Sequence, residues 1–252
     1  PFLYKKGIVN IEDIPESLEV TKTQKNKIDL TKRNKLVINK KEIKSFLSSL
    51  NYPLYYFDFE AYNQAIPKFM GVRPFQQIPF QYSLHIRDKL STEPSHKEFL
   101  AQSDKDPREN LVKKLVSDIP KEVSVLVFNA SYEKSVLGKL AENFPQYKEH
   151  LLNISNNIID LAEPFRKQHY YHPQTKGKYS IKVLLPLLVP EMSDEYDKLD
   201  LIKNGGDAMR AFANLSTISD QEEINKIRKS LIEYCKLDTF AMVKIHDKLR
   251  MM

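Results

Sequence analysis

Residues 54–60, Leu54-Tyr55-Tyr56-Phe57-Asp58-Phe59-Glu60, form an aromatic run of strand propensity into which two acids are set. On a strand, alternate side chains share a face, so Asp58 and Glu60 point the same way while Phe59 enters the opposite layer. Two carboxylates on one face of an otherwise apolar strand repel each other and resist desolvation unless a cation lies between them. Hard oxygen ligands of this kind suit Mg²⁺ or Mn²⁺. A strand edge with two exposed acids gives the same letters, so the run is weighed with the rest of the chain.

Around this run the pattern is that of an α/β domain. Residues 78–86 (IPFQYSLHI) alternate as a second strand, and residues 96–100 give a third. Asp106 stands as the N-cap of a helix with Pro107 in its first turn, and Leu111, Leu115 and Ile119 recur on one face. Residues 123–128 (VSVLVF) read as a strand buried on both faces, and residues 132–143 as the helix that follows. A looser region holds Ile158-Ile159-Asp160-Leu161 and a polar aromatic loop over residues 168–173. Residues 180–185 read as a short helix stopped by Pro186. Residues 220–249 are the longest helical pattern, with Ile224, Ile227, Leu231, Tyr234, Asp238, Met242, Ile245 and Leu249 spaced by three or four. Strands first and strand–helix alternation later predict a mixed central sheet flanked by helices.

Composition bounds the function classes. With 252 residues, 41% of them hydrophobic, the chain has enough apolar mass for a core, and its 13 Phe and 13 Tyr exclude intrinsic disorder. No apolar run approaches the roughly 20 residues of a membrane span, and the N-terminus lacks the progression of a signal peptide. The single Cys235 excludes an internal disulfide and a multi-cysteine zinc site, so a reduced, cytoplasmic compartment is the expectation. A first residue that is Pro rather than Met predicts a segment of a longer protein, with an additional domain upstream. The net charge is +6, but residues 1–45 carry 11 Lys and Arg against 6 Asp and Glu, which leaves only +1 for the remainder. Residues 1–45 are therefore expected to be a basic linker or leader and residues 46–252 the folded domain.

Two further constellations carry chemistry. Asn129-Ala130-Ser131-Tyr132-Glu133 follows the buried strand, where sites gather in open α/β sheets; Glu133 is also an ordinary acid in a first helical turn. Tyr234 and Asp238 stand at i and i+4 on the apolar face of the last helix, where a carboxylate is costly unless something binds it.

In this order, Asp-x-Glu, Asn-x-x-x-acid and Tyr-x-x-x-Asp, the three pieces resemble the motifs of the DEDD exonucleases, which are ribonuclease H-like enzymes. Tyr in the third motif is similar to the DEDDy branch. The wider words Tyr52-Pro53-Leu54, residues 75–85 (FQQIPFQYSLH), Asp106-Pro107-Arg108, Tyr179-Ser180-Ile181-Lys182 and residues 234–238 resemble an uncharacterised bacterial family, a domain of unknown function. The resemblance covers about residues 46–252.

It implies a ribonuclease H-like fold and a metal-dependent 3′–5′ exonuclease acting on nucleic acid, a single-stranded 3′ end above all. Asp58, Glu60, Glu133 and Asp238 would hold two ions, Mg²⁺ or Mn²⁺, and Tyr234 would orient the attacking water. The family has Asp where this chain has Glu133, so Asp160 is the alternative or additional ligand at that position. Lys182, in a word similar to the Ser-Leu-Lys of related enzymes, is a candidate phosphate contact. Tyr62 is a candidate base-stacking ring, and Arg73, Gln76, Gln77 and Asn129 are candidate substrate contacts. His85 reads as a satisfied core histidine and Cys235 as a buried neutral thiol. The opposing reading is a catalytically inactive nucleic-acid-binding or scaffolding module of the same fold.

Overall fold

The structure is a computed structural model that describes residues 2–252. Helix α1 (Phe2–Lys5) leads to α2 (Lys22–Lys32), which starts at Thr21 with a reciprocal capping box to Gln24. A short strand β1 (Val37–Ile38) and helix α3 (Lys40–Ser48) follow, and the Asn39 side chain caps α3 at the Glu42 amide. This differs from the expectation of a solvated connector. Ile43 and Phe46 of α3 enter the main core, and β1 pairs antiparallel with a later strand, β7 (Tyr170–Tyr171). The expected boundary at residue 45 thus falls inside a packed helix. The reason is a sparse apolar face, Ile43, Phe46 and Leu47, that a count of lysines hides.

The central sheet is mixed and five-stranded. Its strands are β2 (Leu54–Tyr62), β3 (Ile78–Arg87), β4 (Ser95–Leu100), β5 (Ser124–Val127) and β6 (Ile158–Asp160), in spatial order β4-β3-β2-β5-β6. The first three pair antiparallel, while β5 and β6 run parallel to β2. Ile158-Ile159-Asp160, read as part of a loose region, is therefore an edge strand.

Helices cover both faces. Tyr55, Phe57 and Phe59 pack under α4 (Arg108–Asp118), α5 (Ser131–Asn143) and α6 (Lys148–Asn156). Leu54, Tyr56 and Leu126 pack on the other face, under α3, α8 (Ile181–Leu188) and α11 (Gln221–Arg250). Between α6 and α11 lie three short helices besides α8: α7 (Glu163–Arg166), α9 (Glu195–Lys198) and α10 (Gly205–Asn214). Asp58 and Glu60 share the parity of Leu54 and Tyr56, so the period-two rule sends both acids to the α11 side.

Two local expectations shift slightly. Pro107 takes the cap position of α4, while the Asp106 carboxylate accepts the Arg108 amide one residue further on. Pro186 lies inside α8 instead of ending it, because the helix needs only two more residues before Val189. Among the described residues, no helix is long and apolar enough to cross a membrane.

Candidate active site

Four acids from three elements converge at the carboxyl end of β2. Asp58 and Glu60 come from the strand itself, whose register with β3 slips between Glu60 and Ala61. Such a bulge bends the strand and re-aims the side chains beside it. Glu133 comes from the first turn of α5, which begins just past the end of β5. Asp238 comes from mid-α11, on the stripe that packs against the sheet. Asp58 is half-buried, whereas Glu60, Glu133 and Asp238 are 7%, 2% and 8% exposed.

The acids act on one another electrostatically. Burial pushes the Asp58 carboxyl well above its usual range, and the charges of Asp238, Glu60 and Glu133 push it further. Glu60 is driven up to about 8 by burial and Asp238, while Lys182 opposes the shift. Glu133 is also driven to about 8, by burial and then by Asp160. Among the described residues, none of the four forms an ion pair with a Lys, Arg or His. Glu133 Oε2 is buried without a hydrogen-bond partner. A protein interior does not keep such a group without compensation from elsewhere.

The surroundings hold the acids in place. The Tyr196 hydroxyl donates to Asp238 Oδ1, and the Tyr234 hydroxyl also helps hold the Asp238 charge. Lys182 Nζ lies 4.9 Å from the centroids of both the Tyr196 and Tyr234 rings, donates to the Lys203 carbonyl, and reaches the Tyr234 oxygen at 3.4 Å. A side chain added at Gly205 would meet Glu60 Oε2 at 3.6 Å, so this carboxylate abuts the positive end of α10. Cys235 Sγ lies 4.0 Å from Asp58 Oδ2 and is fully buried; burial and the neighbouring acids raise its pKa, which keeps it a neutral thiol.

The donor set fits a hard divalent ion. Asp58 and Glu60 offer carboxylate oxygens within 4.8 Å of each other, the Cys235 sulfur in the same span being a neutral thiol and no donor for such an ion, and Glu133 adds an unpartnered oxygen nearby. Carboxylates whose ionisation is suppressed by burial and by one another's charge are what a dication stabilises.

Other candidates sort differently. Asp160 is already engaged, accepting the Asn129 and Ala162 amides at 3.0 Å each and pairing with Arg166 at 3.2 Å. Its carboxylate supports the turn carrying Asn129, which has φ +71 and is exposed, so Glu133 is the fourth acid of the cluster. Tyr62 does not present a stacking surface. It is 3% exposed and packs against Phe80 and Phe212. Arg73 and Gln76 line a cavity of about 320 Å³ with Phe75, between the β2–β3 loop and α5. His85 is buried with Nδ1 bonded to Thr239, as a core histidine should be. The sequence reading missed Tyr196, which sits on a four-residue helix with no periodic pattern. It also gave no role to Tyr132, whose hydroxyl lies in the field of Glu60, Asp58 and Glu133.

Comparison with known proteins places these residues in a family. A family model described as "Domain of unknown function (DUF2779)" matches residues 55–180, half of the chain. The chain belongs to the DUF2779 family. The match spans Asp58, Glu60 and Glu133 and stops before Lys182, so the DUF2779 segment contains three of the four clustered acids. A curated relative, "Uncharacterized protein UU173" of Ureaplasma parvum serovar 3, is 30% identical over 265 residues. The alignment covers 96% of this chain, and the chain spans 38% of that relative's length. No solved structure matches the chain.

Proposed function

We propose that this DUF2779 chain is a metal-dependent 3′–5′ exonuclease of the DEDDy type with a ribonuclease H-like fold. The observation that carries the reading is the meeting of Asp58, Glu60, Glu133 and Asp238, which, among the described residues, form no ion pair with a Lys, Arg or His. Further support comes from the mixed sheet, with the acids at the carboxyl end of its central strand and helices on both faces.

Asp58, Glu60, Glu133 and Asp238 would hold Mg²⁺ or Mn²⁺, and two such ions, when bound, would supply positive charge that favours ionisation of a water and the leaving of a 3′ oxygen. Tyr234 keeps its proton, since burial and the acids raise its pKa far above the usual value for a phenol. It therefore acts by orienting the attacking water, not as a base. Lys182 sits above the Tyr196 and Tyr234 rings with its charge directed at the cluster, where it meets a phosphate oxygen. Water attacks phosphorus, the bond to the 3′ oxygen of the preceding nucleotide breaks, and a nucleoside monophosphate leaves.

The test is a single-stranded oligonucleotide, as DNA and as RNA, labelled at the 3′ or the 5′ end and incubated with and without Mn²⁺. Mononucleotide release from the 3′ end is the expected result, abolished in Asp58→Ala and in Asp238→Asn. Wild-type activity in either variant rejects the mechanism. Strand binding without any cleavage would establish an inactive binding module instead.

A further inference from the structure

The lysines of the N-terminal segment are not spread over a solvated tether. Helix α2 lies beside α7 and the loop that follows it, and the two enclose an open groove of about 870 Å³ lined by Lys22, Lys25, Asn26, Arg166, Lys167 and His169, among others. The walls are fastened together. Asn26 donates to the Gln168 side chain, Gln168 Nε2 donates to the Thr23 carbonyl at 3.0 Å, and the Asn39 amide donates to the His169 carbonyl at 2.7 Å. Lys27 reaches across to the Gly177 carbonyl at 3.1 Å. The groove is thus preformed, and binding there would not require ordering a loop.

Its charge is one-sided. The one acid in the lining, Asp29, is paired with Arg33 at 2.7 Å. Lys167 is paired with Glu163, and Arg166 with Asp160. Lys22 and Lys25 are exposed, and neither ammonium forms an ion pair or hydrogen bond among the described residues. Two unpaired cations on a wide open trough suit a flexible polyanion, whose phosphates they can meet in succession.

Its position relates it to the acids. Arg166 grips Asp160 at the end of β6, and β6 is two strands from β2, about 10 Å across the sheet. The groove therefore opens at the same end of the sheet as Asp58.

We propose that the groove between α2 and α7 is a phosphate-backbone site for single-stranded nucleic acid, holding the strand a few nucleotides upstream of the end that enters the acid cluster. The assignment of the cluster end rests on the nuclease reading; the groove's affinity for a single strand does not. Lys22 and Lys25 contact successive phosphates, and the N-terminal segment is a substrate clamp built into the fold.

The experiment measures binding of a fluorescent 12-nucleotide single strand to the full chain in EDTA, by anisotropy over a range of salt. Lys22→Ala with Lys25→Ala should weaken binding about tenfold and reduce the slope of log K against log salt by about 1.4, the counterion release of two phosphate contacts. Lys22→Arg with Lys25→Arg should bind like wild type. A control of equal charge change on the far helices, Lys113→Ala with Lys148→Ala, should change nothing. Wild-type affinity in the groove variant overturns the proposal, as does an equal loss in the control. Displacement of the strand by polyglutamate at matched charge overturns it too, since the site would then be an acidic-peptide surface. Cleavage is scored separately with Mn²⁺. Lysine-dependent binding without cleavage removes the nuclease reading and leaves the groove standing.

Discussion

The sheet strands β2 and β3 face helix α11 along its length, and the polar groups buried between sheet and helix differ from one end to the other. At one end Arg87 is 5% exposed and holds Asp247 in a two-pronged ion pair, its second contact at 2.9 Å. Beside it the Tyr56 hydroxyl meets His246 Nδ1 at 2.6 Å. Nearer the middle, Thr239 bonds Ser83 at 2.7 Å and His85 at 2.8 Å, and Ser83 also meets His96 at 2.9 Å. At the other end Asp58, Glu60 and Asp238 crowd together, and among the described residues none of them forms an ion pair with a cation. The first end is built like a core, with each charge matched in the chain. The second is left unmatched by the chain itself, and that asymmetry separates a site from a scaffold.

The largest effect belongs to the matched end. Asp247→Ala strands the buried Arg87 guanidinium and should destabilise the fold by about 3–5 kcal/mol, read from the urea midpoint. A loss under about 1 kcal/mol would break the contrast, because that end would then not depend on its pairing.

The acid end should respond with the opposite sign. In chelated protein at neutral pH, Glu60→Gln removes a carboxyl that is ionised in the unfolded chain and must take up a proton to fold, so it should stabilise the fold by about 1–3 kcal/mol, while activity is lost. The gain depends on pH. Glu60 sits at about 8 in the folded chain against 4.5 in a free side chain. Below about 4.5 the folded and unfolded chains hold the same protons, and the group costs nothing. As pH rises toward 8 the unfolded chain releases a proton that the folded chain keeps, so wild-type stability falls. The Glu60→Gln advantage should therefore grow from pH 5 to pH 8 in thermal melts, and excess Mn²⁺ should erase it. The histidines run the other way. His246 is depressed to about 4 and His85 to about 3, mainly by burial. Their contribution is complete above about 6.5 and is lost as pH falls through 4.

Smaller effects sharpen the roles within the acid end. Tyr196→Phe removes the donor to Asp238 and should weaken Mn²⁺ binding about tenfold by calorimetry, as loss of a supporting hydrogen bond does at metal ligands. Tyr234→Phe should slow cleavage strongly while weakening metal binding less than Tyr196→Phe does, since its hydroxyl contributes less to holding Asp238. Collapse of metal binding in that variant would make Tyr234 a support for Asp238 instead of a positioner of water.

What was legible beforehand followed strong periodicity. The strand over residues 54–60, the buried strand over 124–127 and the thirty-residue α11 announce themselves by patterns that depend only on neighbours a few positions away. The same local rule put Asp58 and Glu60 on one face, and Tyr234 and Asp238 on one stripe. Short elements were opaque for the same reason. Residues 158–160 form a strand because β5 offers them an edge, and α3 is a core helix because the sheet has a face for Ile43 and Phe46. Neither fact is present in a window of ten residues.

From its letters alone this chain determined that acids stand on apolar faces of a strand and a helix, since side-chain direction follows from backbone period. Only the tertiary structure decided which of them meet. It brought Glu133 beside Asp58, tied Asp160 to Arg166, buried Tyr62 among aromatic rings and joined Tyr196 to Asp238. Those outcomes depend on how the helices settle on the sheet across long separations in the chain, through packing and desolvation that no short stretch of sequence contains.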